Sequence, residues 1–294
     1  MKLWKEICIL LCTCLAASPL HAQENADLKG TSCVPVRTVD EDGLAFQAGE
    51  SMNFILHYRW GMINTDVGTA TVSLDSLTFN GHEAFCCSVK GQTTRMFDRI
   101  FRVREDFRSW FTRDGLKPLK FIRDTYEGGY EARNTYLYEW DAAEPHIAAD
   151  IYTSKRGQTS MELPLTPCTY DLPALFFFAR NMDIDNVEPG RRYPMTFAID
   201  DDVYNVYFIL YGRETIKVKG LGTVRTIKFA AKLLEGEVFK GEEDMMIWIS
   251  DDENRLPVYF EAPLLVGVAA GRMSACDGLK HPFESLITDK RKKR

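Results

Sequence analysis

From Phe46 onward the chain alternates apolar and polar positions with a period of two. Met52, Phe54, Leu56 and Tyr58 share one side of an extended run, with Asn53, Ile55 and His57 between them, the pattern of a strand with one face buried. Further strand-like runs fall at 69–77, after Gly68, and at 84–89, 100–103 and 108–112. Residues 119–127, the pair Gly128-Gly129 and residues 130–140 read as a hairpin that places Asn134, Tyr136, Tyr138 and Trp140 on one face. One segment departs from this period. Asp171 is a good N-cap, Pro173 suits a first turn, and Leu172, Leu175, Phe176, Ala179 and Met182 recur at helical spacing up to Asp183. Three consecutive phenylalanines, Phe176, Phe177 and Phe178, cover more than one face, so this helix is apolar around over half its circumference and belongs across a sheet or inside a trough. Strands resume at 193–199, turn at Asp200-Asp201-Asp202, and continue at 204–211, 224–231, 245–250 and 258–270. Strands, then a helix, then strands predict a mainly β fold: an antiparallel sheet with one Phe-rich helix packed on it. No linker divides it, so a single domain is expected over 46–273, between a loose N-terminal arm at 23–45 and a C-terminal segment at 274–294 that ends in a basic tail.

Two stretches share a grammar. In "MMIWISDDENRLPVYFEAP" (245–263) and "WFTRDGLKPLKF" (110–121) a Trp-led apolar run passes through Ser250 or Thr112 to an acidic turn. Each then reaches Leu256-Pro257 or Leu116-Lys117-Pro118. A proline that opens the return leg where no ladder donor is needed makes each a hairpin tip. The acidic run Asp251, Asp252, Glu253, Asn254 lacks both the alternate spacing and the glycine of a calcium loop, and on this reading its acids are exposed turn residues whose loss costs little. Asp183, Asp185, Asn186 and Glu188 start like a calcium loop, but Val187 and Pro194 occupy positions that need ligands, and Asp200 to Asp202 is read as a turn.

Composition then narrows the class. The 294 residues are 45% hydrophobic and 27% charged, with a net charge of -6, which suits a globular domain and disfavours nucleic acid as a partner. Lys2 and Lys5, an apolar stretch at 7–17 and a small residue at Ala22 predict a signal peptide over 1–22, hence export, with the periplasm as the expected compartment. That stretch is shorter than the roughly 20 apolar residues of a bilayer span, and no transmembrane segment is expected elsewhere. Five cysteines follow it, Cys33, Cys86, Cys87, Cys168 and Cys276, and an odd number allows at most two internal bridges. Spacing leaves the pairing open, except that Cys86 and Cys87 adjoin in a strand, point to opposite faces and do not suit a bond to each other.

Catalytic patterns are missing. There is no G-x-S-x-G, no H-x-x-x-H pair among His57, His82, His146 and His281, no C-x-x-C among the exported cysteines, and no helix after Gly128-Gly129 to make a phosphate loop. The chain is therefore read as a non-enzyme that needs no cofactor and no metal. The positive signal is aromatic: 18 Phe, 12 Tyr and 5 Trp. Core packing accounts for most of them, yet a curved sheet lined by aromatics with the helix over its opening would also form an apolar pocket.

"FQAGESMNFILHYRWGMINTDVGTATV", "YDLPALFFFARNMDIDNVEPG" and "MMIWISDDENRLPVYFEAPLLVGVAAGRM", in that order, resemble the bacterial exported family known as domain of unknown function 3108. The Trp-strand, Asp-turn, Pro pattern is also similar to hairpins of the lipoprotein-carrier superfamily, which implies a curved antiparallel sheet or half-barrel around lipid chains. Neither resemblance brings catalytic residues. The expectation is an exported, carrier-like binder of a lipid or other apolar ligand, with Tyr136, Tyr138, Trp140, Phe176, Phe177 and Trp248 as candidate lining residues. The competing expectation is an envelope structural or protein-interaction module with no small ligand.

Overall fold

The two-residue period becomes strands β1 (Ser51–Trp60), β2 (Ile63–Phe79), β3 (His82–Thr93), β4 (Val103–Thr112), β5 (Pro118–Glu127), β6 (Tyr130–Glu139), β7 (His146–Thr153) and β8 (Gly157–Pro164). After a short β9 (Thr169–Tyr170) come β10 (Arg192–Ile199), β11 (Asp202–Val218), β12 (Gly222–Ala231), β13 (Met245–Ser250), β14 (Pro257–Pro263), β15 (Val268–Asp277) and β16 (Leu286–Ile287). The computed structural model describes residues 37, 40–232, 244–264 and 266–287. The expected signal peptide and the basic tail at 289–294 lie outside the described residues, as does most of the expected arm.

All sixteen strands belong to one sheet. From β1 one wing runs outward through β2 to β8 in chain order, and from β15, paired with β1, the other runs back through β14 to β9. Neighbours are antiparallel throughout except for β9 and β10, which pair in parallel. Nearest-neighbour hairpins explain the economy of this topology, because tight turns keep most pairings local. At the β5–β6 turn Gly128 and Gly129 have φ of 54° and 102°, conformations that glycine adopts without a Cβ penalty. A Cβ on Gly128 would collide with the Phe101 ring.

The sheet curves, so its two wings share an interior. Phe46, Phe85, Phe111 and Phe177 meet there, with Phe177 ring centroids 4.7 Å from Phe46 and 5.7 Å from Phe111. Phe177 belongs to helix α2 (Leu172–Arg180), whose N-cap Asp171 accepts from the Ala174 N–H at 2.8 Å and from the Ser109 hydroxyl of β4 at 2.7 Å. The other wing-end cluster is polar: Arg123 of β5 reaches Asp200, in the turn between β10 and β11, at 2.6 Å. No ladder joins β8 to β9 or β10, so the sheet remains open and side chains bridge the gap.

Three local expectations are corrected. The Phe-rich helix is not alone, since a short helix α1 (Arg95–Asp98) precedes β4 in a region where alternation had predicted a strand from residue 100. Phe97 and Phe101 are both buried, at the i, i+4 spacing that a helical turn places on one side. Strands β7 and β8 were not expected from sequence: β7 does alternate, burying Ile147, Ala149, Ile151 and Thr153, whereas β8 has burial on few positions, as suits a polar edge strand. Finally, Asp252 is no free tip residue. Its carboxylate accepts from Ser250 Oγ at 2.8 Å, the Asn254 N–H at 3.1 Å, and Ser285 N–H and Oγ at 3.0 and 2.7 Å. The segment before β16 is thereby fastened to the β13–β14 tip. Cys168 is disulfide-bonded while Cys86, Cys87 and Cys276 are free, so its partner lies outside the described residues.

Candidate functional site

Helix α2 divides its apolar surface between two environments. Ala174, Phe177 and Phe178 are buried against the interior. Leu172, Leu175, Phe176 and Ala179, at helical spacing on another face, line a cavity of about 280 Å³. The opposite wall follows from strand alternation: Met195 and Phe197 of β10, Val206 and Phe208 of β11, and Ile247 and Ile249 of β13 all project into it. Phe229 of β12, Met245 of β13, Met182 and Pro257 add to the apolar surface. Among the described lining residues the ionisable side chains are Arg180, Tyr207 and Lys232. Such a lining offers dispersion and hydrophobic contact and few directional contacts.

Arg180 gives its charge elsewhere. Its side chain is 2% exposed, its two terminal nitrogens pair with Glu50, which is fully buried, and Nε and Nη2 donate to the Asn254 carbonyl at 3.1 and 2.9 Å. The guanidinium also lies 5.4 and 5.5 Å from the ring centroids of Phe46 and Phe177. It locks the end of α2 to β1's entry and to the β13–β14 tip. At the rim Tyr207 donates to Asp244 at 3.2 Å and stacks beneath the Arg192 guanidinium at 4.7 Å.

Of the six residues nominated from sequence, Phe176 lines this cavity and the others occupy different places. Phe177 is in the aromatic core described above. Trp248 lies between Ile247 and Ile249 and so faces the other side of the sheet, where its ring N–H donates to Glu214 at 2.7 Å and its ring stands 5.3 Å from Tyr259. Tyr136 is fully buried, stacked on Phe121 at 5.5 Å, with its hydroxyl donating to the Asp200 carbonyl at 3.0 Å. Tyr138 and Trp140 pair at 6.5 Å, and the Trp140 ring N–H donates to the Pro118 carbonyl at 2.7 Å. The alternating pairs on β10, β11 and β13 were the missed signal. Each was visible as a period of two, but which wing the helix faces is decided by tertiary packing.

A second constellation occupies the far wing. Along β5 the inward side chains run Phe121, Arg123, Thr125, Glu127, passing from apolar to polar toward the end of the wing. Arg123 Nε donates to Thr125 at 3.0 Å, Thr125 donates to Glu105 of β4 at 2.6 Å, and Asn134 of β6 donates to Asp200 at 3.2 Å. Burial, then the neighbouring Glu105 carboxylate, push Glu127 up to about 9, so it is held protonated at neutral pH. Burial also raises Asp200 despite its guanidinium partner. Burial opposes the Arg123 charge, but the surrounding carboxylates outweigh it and raise its pKa. Asp200 has φ of 50°, a left-handed conformation that a short polar side chain tolerates. None of this was legible in the sequence beyond a turn.

An open, curved β sheet with an apolar cavity beside an interior helix defines a barrel-like class of protein. Residues 53–274 match the family described as protein of unknown function (DUF3108), and the chain belongs to that family. Among solved structures it is similar to a beta-barrel-like protein of the domain of unknown function DUF1849 from Brucella abortus, with a TM-score of 0.52 and 11% identity over 85% of this chain and 100% of that one. A protein provisionally named a lipoprotein, from Parabacteroides distasonis, is 11% identical over 84% of this chain and 100% of that one, but its TM-score is 0.26, too poor a superposition to bear on the fold. No curated protein matches the sequence. No helix among the described residues is long and apolar enough to cross a membrane.

Proposed function

We propose that the protein is an exported carrier-like binder of a lipid or other apolar ligand, which it holds unchanged between α2 and strands β10 to β13. The observation that carries this reading is the cavity itself. Its volume of about 280 Å³ exceeds the roughly 150 Å³ of an apolar cavity able to take up benzene and approaches the roughly 300 Å³ lower bound of typical ligand pockets. An acyl chain would lie along Phe176, Phe208 and Ile247, with its polar end at the rim near Tyr207. Export to the periplasm is part of the same proposal and is supported by the charged start and short apolar stretch of the chain.

The test uses cis-parinaric acid, whose fluorescence rises in apolar surroundings, together with lipid extraction and mass spectrometry of the purified protein. The parent is expected to bind the fatty acid and to yield copurified lipid. Ala179→Phe, which fills the cavity from the helix side, is expected to lose binding while retaining cooperative unfolding. A parent that binds no fatty acid and carries no lipid would exclude the carrier reading and leave an interaction module.

A further inference from the structure

We propose that one end of the barrel docks on the anionic headgroup surface of a lipid bilayer. Large hydrophobic side chains exposed among the described residues concentrate there: Trp60 is 43%, Met62 102%, Met96 60% and Ile100 51% exposed, four of the seven that the surface carries. They come from two adjoining elements. Trp60 and Met62 form the tip of the β1–β2 hairpin, turned by Gly61 at φ 55°. Met96 and Ile100 are the outer side of α1 and the turn that follows it. The inner side chains, Phe97 and Phe101, are buried in a cluster with Leu56, Tyr58 and Val67, against which Ile63 also packs, and the Thr94 N–H donates to the Val67 carbonyl at 2.9 Å. The apolar tips are thus mounted on a packed base, which fits an insertion surface better than frayed loops would.

Charge supplies the partner. Arg95, Arg99 and Arg102 are exposed beside these tips, and none has an ion-pair partner among the described residues. The nearby acids are engaged: Asp98 with Arg104 at 2.6 Å, Asp66 with Arg272 at 2.8 Å and Glu261 with Arg59 at 3.3 Å. A local cationic collar on a chain of net charge -6 is suited to phosphate headgroups, with the apolar tips entering the interface between them. Met245, which lines the cavity, also packs against the base cluster of this end. Docking would bring the cavity to the lipid surface, although the inference rests on the exposed end alone and not on the cavity being filled.

Flotation of the purified protein with vesicles tests it. Binding is expected to vesicles of phosphatidylglycerol and phosphatidylethanolamine, with weaker binding to phosphatidylcholine, a decline with added salt, and a blue shift of tryptophan emission from Trp60. Met62→Asp and Ile100→Asp are each expected to abolish flotation, and Arg95→Gln and Arg99→Gln to lower the partition coefficient about fivefold apiece. Melting temperatures check that these exposed substitutions leave the fold intact. Ala179→Phe is expected to float like the parent, so failure of the cavity reading would leave this result standing. A parent that does not float, or that binds both lipid compositions equally and regardless of salt, would overturn the proposal. So would a concentration-dependent dimer dissolved by Met62→Asp, which would assign the end to a second copy of the chain.

Discussion

Asp171 shows how one buried carboxyl sets both a helix start and a pH response. It caps α2 and accepts from Ser109 of β4, and burial pushes its pKa from the ordinary 3.8 to about 7 despite those two hydrogen bonds. A carboxyl raised in the folded state binds its proton more tightly there than in the unfolded chain, so its contribution to stability falls as pH rises from about 4 to about 7. Asp171→Asn, which can still accept from the Ala174 N–H, is expected to flatten that part of the pH profile, and thermal melts of both proteins between pH 4.5 and 7.5 measure it. An equal slope in parent and variant would reject the assignment. Asp252 is a residue whose role the sequence concealed. Two of its four hydrogen bonds close the local turn through Ser250 and Asn254 and two reach Ser285, 33 residues on, so Asp252→Ala strands buried donors at a cost of about 1–3 kcal/mol, whereas Glu253→Ala, with an exposed side chain, stays within about 0.5 kcal/mol. Urea midpoints of the two variants separate these effects. Acidic turn composition was readable; the partner Ser285 was not, because hydrogen bonds between distant segments leave no periodic trace.

At the scale of elements, the repeated Trp to Pro grammar proves to be a repeated structure. Both hairpins carry a register shift after the tryptophan, between Trp110 and Phe111 and between Trp248 and Ile249, and both return on a proline paired to the shifted residue. In each the hydroxyl accepts from the returning backbone, Thr112 from the Lys117 N–H at 3.0 Å and Ser250 from the Leu256 N–H at 2.7 Å. Leu116 and Arg255 hold the left-handed turn position, with φ of 53° and 51°. Such local chemistry is legible from sequence because a few adjacent residues determine it. Strand β8 was not, since an edge strand without an apolar face has no period to read, whereas β7 carried a short period in Ile147, Ala149 and Ile151 that went unread. Helix α2 falls between: its spacing was visible, and its Leu172, Leu175, Phe176, Ala179 and Met182 stripe lines the cavity, but the division of labour between Phe176 and Phe177 depends on what surrounds them. Phe177→Ala leaves a void among Phe46 and Phe111 and is expected to cost about 3–5 kcal/mol. Phe176→Ala enlarges a space already open, costs less, and weakens binding of cis-parinaric acid. Similar destabilisation by both, with fatty-acid binding unchanged, would place Phe176 in the core rather than at a site.

For the whole molecule, the decisive step is how an open sheet keeps its wings together without a closing ladder. Leu, Ile and Phe of the interior supply nonspecific cohesion, which favours any compact arrangement of the wings and selects none. The polar cluster selects one, because Arg123 finds Asp200 only when the β10–β11 turn lies over β5 and β6. Desolvating such a pair weakens its net contribution, so its clearest effect appears when one partner is removed. Arg123→Met is expected to destabilise the fold by about 3–5 kcal/mol, since it leaves the carboxyls of Asp200 and its neighbours buried without their cation. The double variant Arg123→Met, Asp200→Leu removes both members and is expected to recover part of that loss. Native-state hydrogen exchange distinguishes a closing contact from general core damage: in Arg123→Met, amides of β10, β11 and β8 should lose protection before those of β1 and β15, which hold the centre of the sheet. Uniform loss of protection across both wings would show that the cluster stabilises the domain without fixing their closure.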